Sequence, residues 1–144
     1  MLPKWSLLDS IVNVSSRMTP LSPTARSLLG ALLVRLNEVL PAGLVAVEKE
    51  GVVGVAQDGV FWGGTGYAGL VSGGDNVAEA EVKAVESVLS TTQDQVSEYL
   101  SEPWPPGGSD GDALPPPFAE LAGDELRLGY RDALDLRPIR VDRL

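Results

Sequence analysis

A chain of 144 residues with 44% apolar and 22% charged side chains is typical of one globular domain. It contains no cysteine and no histidine, which excludes disulfides, thiolate metal sites and histidine-based acid–base or triad chemistry. Any catalysis or metal binding would depend on oxygen ligands, so the composition favours a non-enzymatic protein without a cofactor. The formal net charge of −9 repels phosphate, and no nucleic acid partner is expected.

The amino-terminal residues show neither a secretory signal pattern nor a membrane-spanning stretch. Asp9 interrupts the first apolar run, and the longest apolar run, residues 28–34, is too short to cross a bilayer. The preference for arginine, with eight Arg against three Lys, is typical of a high-GC bacterial genome. We therefore expect a bacterial, cytoplasmic protein that does not bind a membrane.

Residues 1–20 form a predicted arm ahead of a single domain over residues 21–144. Trp5 and later apolar residues recur at roughly helical spacing, which predicts a short amphipathic helix over residues 3–18. This helix could pack against its own domain or against a partner subunit, and the sequence leaves both open.

A second helix is indicated by its start signal and by its apolar spacing. Ser22 is a good N-cap, and Pro23 suits the first helical position. Apolar residues then recur every three or four positions up to Leu40, where Pro41 and Gly43 end the pattern. The apolar stripe is wide, which indicates burial against a sheet or a partner.

Between residues 44 and 71 the apolar period changes toward two, as in β-strands. The segments LVAVEK, VVGVA and VFWGG are rich in β-branched or aromatic residues. They are separated by Glu50–Gly51 and by Asp58–Gly59, and the second pair is a strong hairpin signal. Two or three antiparallel strands are therefore predicted.

A glycine-rich stretch, GGTGYAGLV, follows and contains the spelling G-x-G-x-x-G at residues 64–69. In a dinucleotide-binding fold these glycines open a helix directly, but the next helix cap comes only at Asp75 or Asn76. In a protein kinase the nearby lysine belongs to a strand, whereas Lys83 lies in a helical pattern. We interpret the glycines as structural, either a bulged third strand or a flexible hairpin rim.

The longest predicted helix covers residues 76–101. Asn76 and Glu79 have the spacing of a capping box, with Asp75 as an alternative cap, and Pro103 ends the pattern. Apolar residues between them alternate at spacings of three and four.

Two groups of carboxylates are candidates for acid–base chemistry or magnesium binding. Glu48 and Glu50 flank a turn, and Asp94, Glu98 and Glu102 lie along one edge of the predicted helix. No residues from another segment converge on either group, so we interpret both as solvated surface.

Residues 103–123 hold six of the eleven prolines and are predicted to be a loop of about twenty residues. Trp104 and Phe118 each follow or precede prolines, and polyproline segments bind aromatic grooves at little entropic cost. The candidate partner-binding residues are Trp5, Trp104, Pro105, Pro106 and Phe118. For Trp104 we favour the alternative that it folds back onto the end of the long helix and closes the core.

The last residues predict a hairpin. In ELRLGYR, apolar residues occupy every second position, and LDLRPIRV follows after a four-residue turn. Pro138 shifts the apolar alternation of LDLRPIRV, which indicates a bulge or an edge position. The order α-α-β-β-(β)-α-β-β predicts an α+β fold, an antiparallel sheet of four to five strands with two or three helices on one face. This order resembles that of small secretion-chaperone-like domains, a likeness of topology that implies no function by itself.

These observations favour a protein–protein interaction domain, acting as an adaptor, a chaperone-like protein or an accessory protein. Its expected partner is another protein, and homo-oligomerisation stays open. One alternative is a structural component of a larger assembly, such as a phage-like particle or a secretion device. The other is a small nucleotide- or Mg²⁺-dependent enzyme that uses carboxylates only.

Overall fold

A computed structural model describes residues 21–72, 74, 76–107 and 114–144 of the chain. The predicted helix over residues 3–18 lies outside the described residues. In chain order the elements are α1 (Pro23–Val39), β1 (Leu44–Lys49), β2 (Val52–Gln57), β3 (Val60–Gly66), α2 (Glu79–Leu100), β4 (Pro117–Ala122), β5 (Glu125–Tyr130), β6 (Leu134–Asp135) and β7 (Ile139–Arg140). The α+β class predicted from the sequence is confirmed.

Helix α1 begins where the sequence predicts. The Ser22 hydroxyl accepts the backbone N–H of Ala25 at 3.1 Å, and Pro23 occupies the first turn, where its missing N–H has no cost. The helix ends at Val39, and its buried side chains are Ala25, Leu28, Leu29, Leu32 and Leu36.

Helix α2 begins three residues later than predicted, and its cap differs. The cap position is Ala78 rather than Asn76, and the carboxylate of Glu81 accepts the Ala78 N–H at 2.8 Å. The predicted capping box of Asn76 and Glu79 is therefore wrong, because Glu81 reaches back to the preceding segment and fixes the helix start there. Its end is close to the prediction, with Ser101 in the left-handed conformation after the last turn.

The first sheet is the antiparallel meander β1-β2-β3. Both predicted hairpins are confirmed, with Glu50–Gly51 and Asp58–Gly59 as their two-residue turns. All four turn residues have positive φ, from 50° to 84°, which matches the turn type whose twist suits a two-residue hairpin.

A bulge interrupts β3 within the glycine-rich stretch, as one interpretation of the sequence predicted. Trp62 and Gly63 together lie opposite Val55 of β2, and Gly63 takes a φ of 87°. The side-chain amide of Gln95, on α2, accepts the Val55 N–H at 2.9 Å and donates to the Gly63 carbonyl at 2.8 Å. The Gln95 amide thus bridges the Val55 N–H and the Gly63 carbonyl, two backbone groups that the bulge holds apart.

The second sheet, β4-β5-β6 with β7 also paired to β5, differs from the prediction in two ways. Strand β4 lies inside the segment predicted as a loop, residues 103–123. Proline is tolerated there because Pro117 starts an edge strand, where its missing N–H leaves no ladder bond unmade. The segment LDLRPIRV forms two short strands rather than one, since Pro138 cannot donate to the ladder.

One hydrophobic core is shared by both sheets and both helices. Helix α1 contacts β1 of the first sheet and β7 of the second, while α2 contacts β2, β3, β4 and β5. Each helix therefore touches both sheets. The strands divide between two sheets instead of forming the single sheet of four to five strands that the sequence predicted.

Side chains of α1 bind backbone groups at the margins of both sheets. The Asn37 amide donates to the Ala46 carbonyl at 3.1 Å and accepts the Ala46 N–H at 2.8 Å, so it pairs with the edge of β1 as a neighbouring strand would. Arg35 donates to the carbonyls of Arg137 and Pro138, at 3.0 and 2.9 Å, in the link between β6 and β7. These bonds satisfy groups that would otherwise lack a protein partner.

Helix α2 plays the same role at β4. The carboxylate of Glu86 accepts the Ala119 N–H at 3.3 Å, and the amide of Gln93 donates to the Pro115 carbonyl just before the strand. Helix α2 therefore binds part of the outer edge of β4, and covering an edge with a helix is one of the ways in which native sheets avoid edge-to-edge association.

Candidate partner-binding site

The glycine-rich stretch GGTGYAGLV lies in β3 and in the turn that follows it. Tyr67 is fully buried, and its hydroxyl donates to the Ala25 carbonyl of α1 at 3.3 Å. Burial, with a smaller contribution from the charge of Glu81, raises the pKa of Tyr67 well above its usual range. The next helix in the chain begins only at Glu79, so the glycines do not open it, and the structural interpretation of residues 64–69 fits this geometry.

Glu81 is a buried carboxylate that holds the segment between β3 and α2. It accepts three hydrogen bonds, from the Ser72 N–H at 2.7 Å, the Ser72 hydroxyl at 2.8 Å and the Ala78 N–H at 2.8 Å. Burial alone would raise the pKa of Glu81, but these bonds to the ionised form outweigh it and lower the pKa below its ordinary value. With every bond made inside the fold, its role is structural.

Replacing Glu81 with glutamine should lower the free energy of unfolding by about 2 kcal/mol at pH 7, because charged hydrogen bonds are lost. Since the folded state lowers this pKa, the stabilisation is present above the unfolded value near 4.5 and disappears as the pH falls through the folded value. The difference in melting temperature between wild type and Glu81→Gln should therefore shrink between pH 6 and pH 3.

The matched control is Glu79→Gln. Glu79 lies in the same first turn but is exposed and makes no side-chain hydrogen bond to the described residues. It should melt like wild type across the same pH range. A constant difference between wild type and Glu81→Gln from pH 6 to pH 3 would contradict the assignment of the bonds to the ionised carboxylate.

The structure buries two of the five candidate partner-binding residues. Trp104 and Pro105 lie in the interior, with Trp104 only 5% exposed. The backbone N–H of Trp104 donates to the Ser97 hydroxyl at 2.9 Å, and the Trp104 ring packs edge-on against Tyr130 at 5.4 Å between centroids. This is the core position that the alternative interpretation favours. A role for Trp104 in partner binding stays a prediction, and it would require the ring to leave the core.

The other candidates differ in accessibility. Pro106 is exposed, Phe118 on β4 is half-buried, and Trp5 lies outside the described residues. Of the four candidates that the structure describes, only Phe118 combines an accessible aromatic ring with a concave surface.

Phe118 lines a cleft of about 830 Å³ on the outer side of the second sheet. The cleft is built by β4, β5 and residues 131–138. Its charged and aromatic side chains are Phe118, Glu120, Arg127, Arg131, Asp132 and Asp135. Acidic and basic side chains therefore line the same cleft as the Phe118 ring.

Gly129 makes this cleft possible. It lies opposite Phe118 on β5 and has a φ of 154°, and a side chain there would collide with the carbonyl oxygen of Leu134. Only glycine allows the segment after β5 to return this closely against the strand.

The distinctive group in the cleft is the guanidinium of Arg131. It lies 4.8 Å from the centroid of the Phe118 ring, a cation–π contact. Arg127 pairs with Glu125 at 3.5 Å, whereas among the described residues Arg131 has no carboxylate within ion-pair distance and its side chain donates no hydrogen bond. Its N–H groups are thus available to an acceptor from outside the domain.

The sequence identified Phe118 but missed Arg131. The alternation of ELRLGYR did place Arg131 on one face of a strand. The pairing with Phe118 depends on β4, however, and the proline run concealed that strand. The sequence itself showed only an arginine at the end of an alternating segment, a pattern that is too common to mark a site.

The described residues contain neither a cluster of metal-binding side chains nor a helix that could span a membrane. No group of three or more Asp or Glu side chains there is arranged to hold a metal ion. Neither α1 nor α2 combines the length and the apolar character needed to cross a bilayer. Comparisons with protein-family models, with curated proteins and with solved structures found nothing that matches this chain.

Proposed function

We propose that this protein is a non-enzymatic protein–protein interaction domain, and that the Phe118–Arg131 cleft receives a segment of its partner. The observation that carries the proposal is the Arg131 guanidinium, which lies on an accessible aromatic ring and lacks an acidic partner among the described residues. Arginine and aromatic residues are enriched at interfaces and dominate their binding energy. The stacked guanidinium is held in place before binding, which reduces the entropy lost on docking.

The lining of the cleft defines the chemistry of the proposed partner segment. Arg131 favours a carboxylate or a carbonyl acceptor, and the Phe118 ring favours an apolar group beside it. Glu120, Asp132 and Asp135 favour a basic or hydrogen-bond-donating group at the other margin. A short segment of mixed charge with an apolar side chain would satisfy all three, as expected for an adaptor or accessory protein of the bacterial cytoplasm.

The experiment compares proteins that co-purify from the native host with wild type and with three variants. Phe118→Ala removes the ring, and Arg131→Gln removes the charge while keeping a polar side chain. Leu121→Ala is the matched control, because Leu121 is 43% exposed on the same strand but does not line the cleft. Bound proteins are identified by mass spectrometry, and circular dichroism melting monitors the fold.

The proposal predicts one partner that is retained by wild type and by Leu121→Ala. Both cleft variants should weaken its binding at least tenfold, a hot-spot effect of about 1.4 kcal/mol or more. Arg131→Gln is the decisive variant, since an exposed arginine contributes little to folding. Equal retention by Arg131→Gln and wild type, or no retained protein at all, would refute the cleft as a binding site.

A further inference from the structure

Within the described residues, the outer edge of β3 lacks the side-chain bonds that β1, β4 and the link between β6 and β7 receive. Asn37 binds the edge of β1, Glu86 binds the edge of β4, and Arg35 binds the link between β6 and β7. Among the described residues, no group bonds to Gly64 or Gly66 from the side away from β2. An unbound strand edge is a template for another strand.

The register of the first sheet identifies the outward groups. Ala46 turns its N–H and C=O away from β2, so Val55, which lies opposite it, turns its own toward β3. Because the direction alternates along β2, Val53 also turns its N–H and C=O toward β3. Thr65 lies opposite Val53 and therefore bonds to β2. Gly64 therefore directs its N–H and C=O outward, and Gly66, on the other side of Thr65, directs its N–H outward. The carbonyl of Gly66 does not follow this alternation, because a ψ of 76° turns the chain out of the strand there.

Nothing described screens these groups. Gly64 and Gly66 are exposed, and the space around a Cβ at Gly66 is empty to 4 Å. The Thr65 side chain between them is bound to the Thr91 hydroxyl of α2 at 2.7 Å, so it does not cover the edge. The edge carries none of the lysine or proline residues that commonly protect such strands.

We infer that residues 64–66 accept an extended, basic segment of a partner protein, which adds as a fourth strand beside β3. Backbone hydrogen bonds to Gly64 and Gly66 would supply the pairing, as in other cases of strand addition. This surface shares no residue with the Phe118–Arg131 cleft, which is on the other sheet.

Charge favours a basic partner over a second copy of this chain. Residues 44–107 contain ten acidic side chains and two lysines. Asp58 lies in the turn before β3, and Glu50 lies in the turn between β1 and β2, beside the Gly66 end of β3. Each copy carries a net charge of −9, so pairing of two copies through this acidic half is opposed by repulsion. The same negative charge attracts a basic segment.

The test uses an isotopically labelled full chain and a blocked nine-residue peptide of alternating lysine and valine. The informative variant is Gly66→Pro, which removes the outward N–H. Gly66 has a φ of −75°, close to the value that proline imposes, so the variant should fold. Gly66→Ala is the matched control, because it keeps the N–H. The same peptide with N-methylated backbone amides keeps the charge but loses the strand donors.

We expect the peptide to protect the Gly64 and Gly66 amides from exchange in wild type and in Gly66→Ala. Gly66→Pro should bind it at least tenfold more weakly, and the N-methylated peptide should fail to protect either amide. Phe118→Ala should bind the peptide like wild type, which separates this result from the cleft proposal.

Three results would overturn the inference. The first is equal peptide binding by Gly66→Pro and Gly66→Ala, and the second is no binding at about 1 mM peptide, the weakest affinity of interest. The third is protection of the Gly64 and Gly66 amides before any peptide is added. A solution mass of two chains that falls to one in Gly66→Pro would then assign the edge to a second copy, and a single-chain mass would assign it to another part of the same chain.

Discussion

Replacing Trp104 with alanine should lower the free energy of unfolding by about 3–5 kcal/mol, the range for removing a buried aromatic side chain. Trp104 is 5% exposed and packs edge-on against Tyr130, itself fully buried. The substitution would leave a cavity between the end of α2 and β5 and remove an aromatic pair. Equilibrium denaturation in urea measures the change.

The control for Trp104 is its neighbour Pro106, which is exposed in the same segment. Pro106→Ala should change the free energy of unfolding by less than about 0.5 kcal/mol. A loss below about 1 kcal/mol in Trp104→Ala would contradict the core position, since surface substitutions have effects of that size. Trp104 would then become a stronger candidate for partner binding.

Gly64→Ala should destabilise the fold by about 3 kcal/mol, because the added methyl group has no room. At this position β2 and β3 approach so closely that a Cβ would collide with the backbone carbonyl of Val53. The facing residue, Gly54, has the same restriction against the carbonyl of Gly63. Two backbones cannot separate here without disturbing the bulge that Gln95 holds.

Gly66→Ala and Gly69→Ala are the matched controls for Gly64→Ala in the same G-x-G-x-x-G spelling. Both positions are open around a Cβ, and neither has a positive φ. Urea denaturation should place both within about 0.5 kcal/mol of wild type. The sequence suggested that all three glycines serve folding, and the structure narrows this expectation to Gly64. Equal losses in all three variants would contradict the steric account.

The sequence predicts the elements whose signals are local. The Ser22 cap and Pro23 mark the start of α1, and the pairs Glu50–Gly51 and Asp58–Gly59 mark both hairpins of the first sheet. These residues determine the conformation of their own backbone, so no knowledge of the rest of the fold is needed.

Other features depend on residues that are distant in the chain. The start of α2 depends on Glu81 binding back to Ser72, and the edge of β1 depends on Asn37. The sequence does not predict strand β4, because its prolines indicate a loop. The pairing with β5 that makes it a strand exists only in the tertiary fold. In the candidate site, Phe118 is recognised from the prolines that precede it in the sequence. Its contact with Arg131, by contrast, depends on the register between β4 and β5.

Hydrogen exchange of four backbone amides in the free, full-length chain tests most directly whether the outer edge of β3 is open. The amides of Ala46 and Ala119 are bound by Asn37 and Glu86, so they should exchange slowly. The amides of Gly64 and Gly66 should exchange at rates near those of an unstructured peptide. Protection of all four to a similar degree would contradict the open edge and, with it, the proposed site of strand addition.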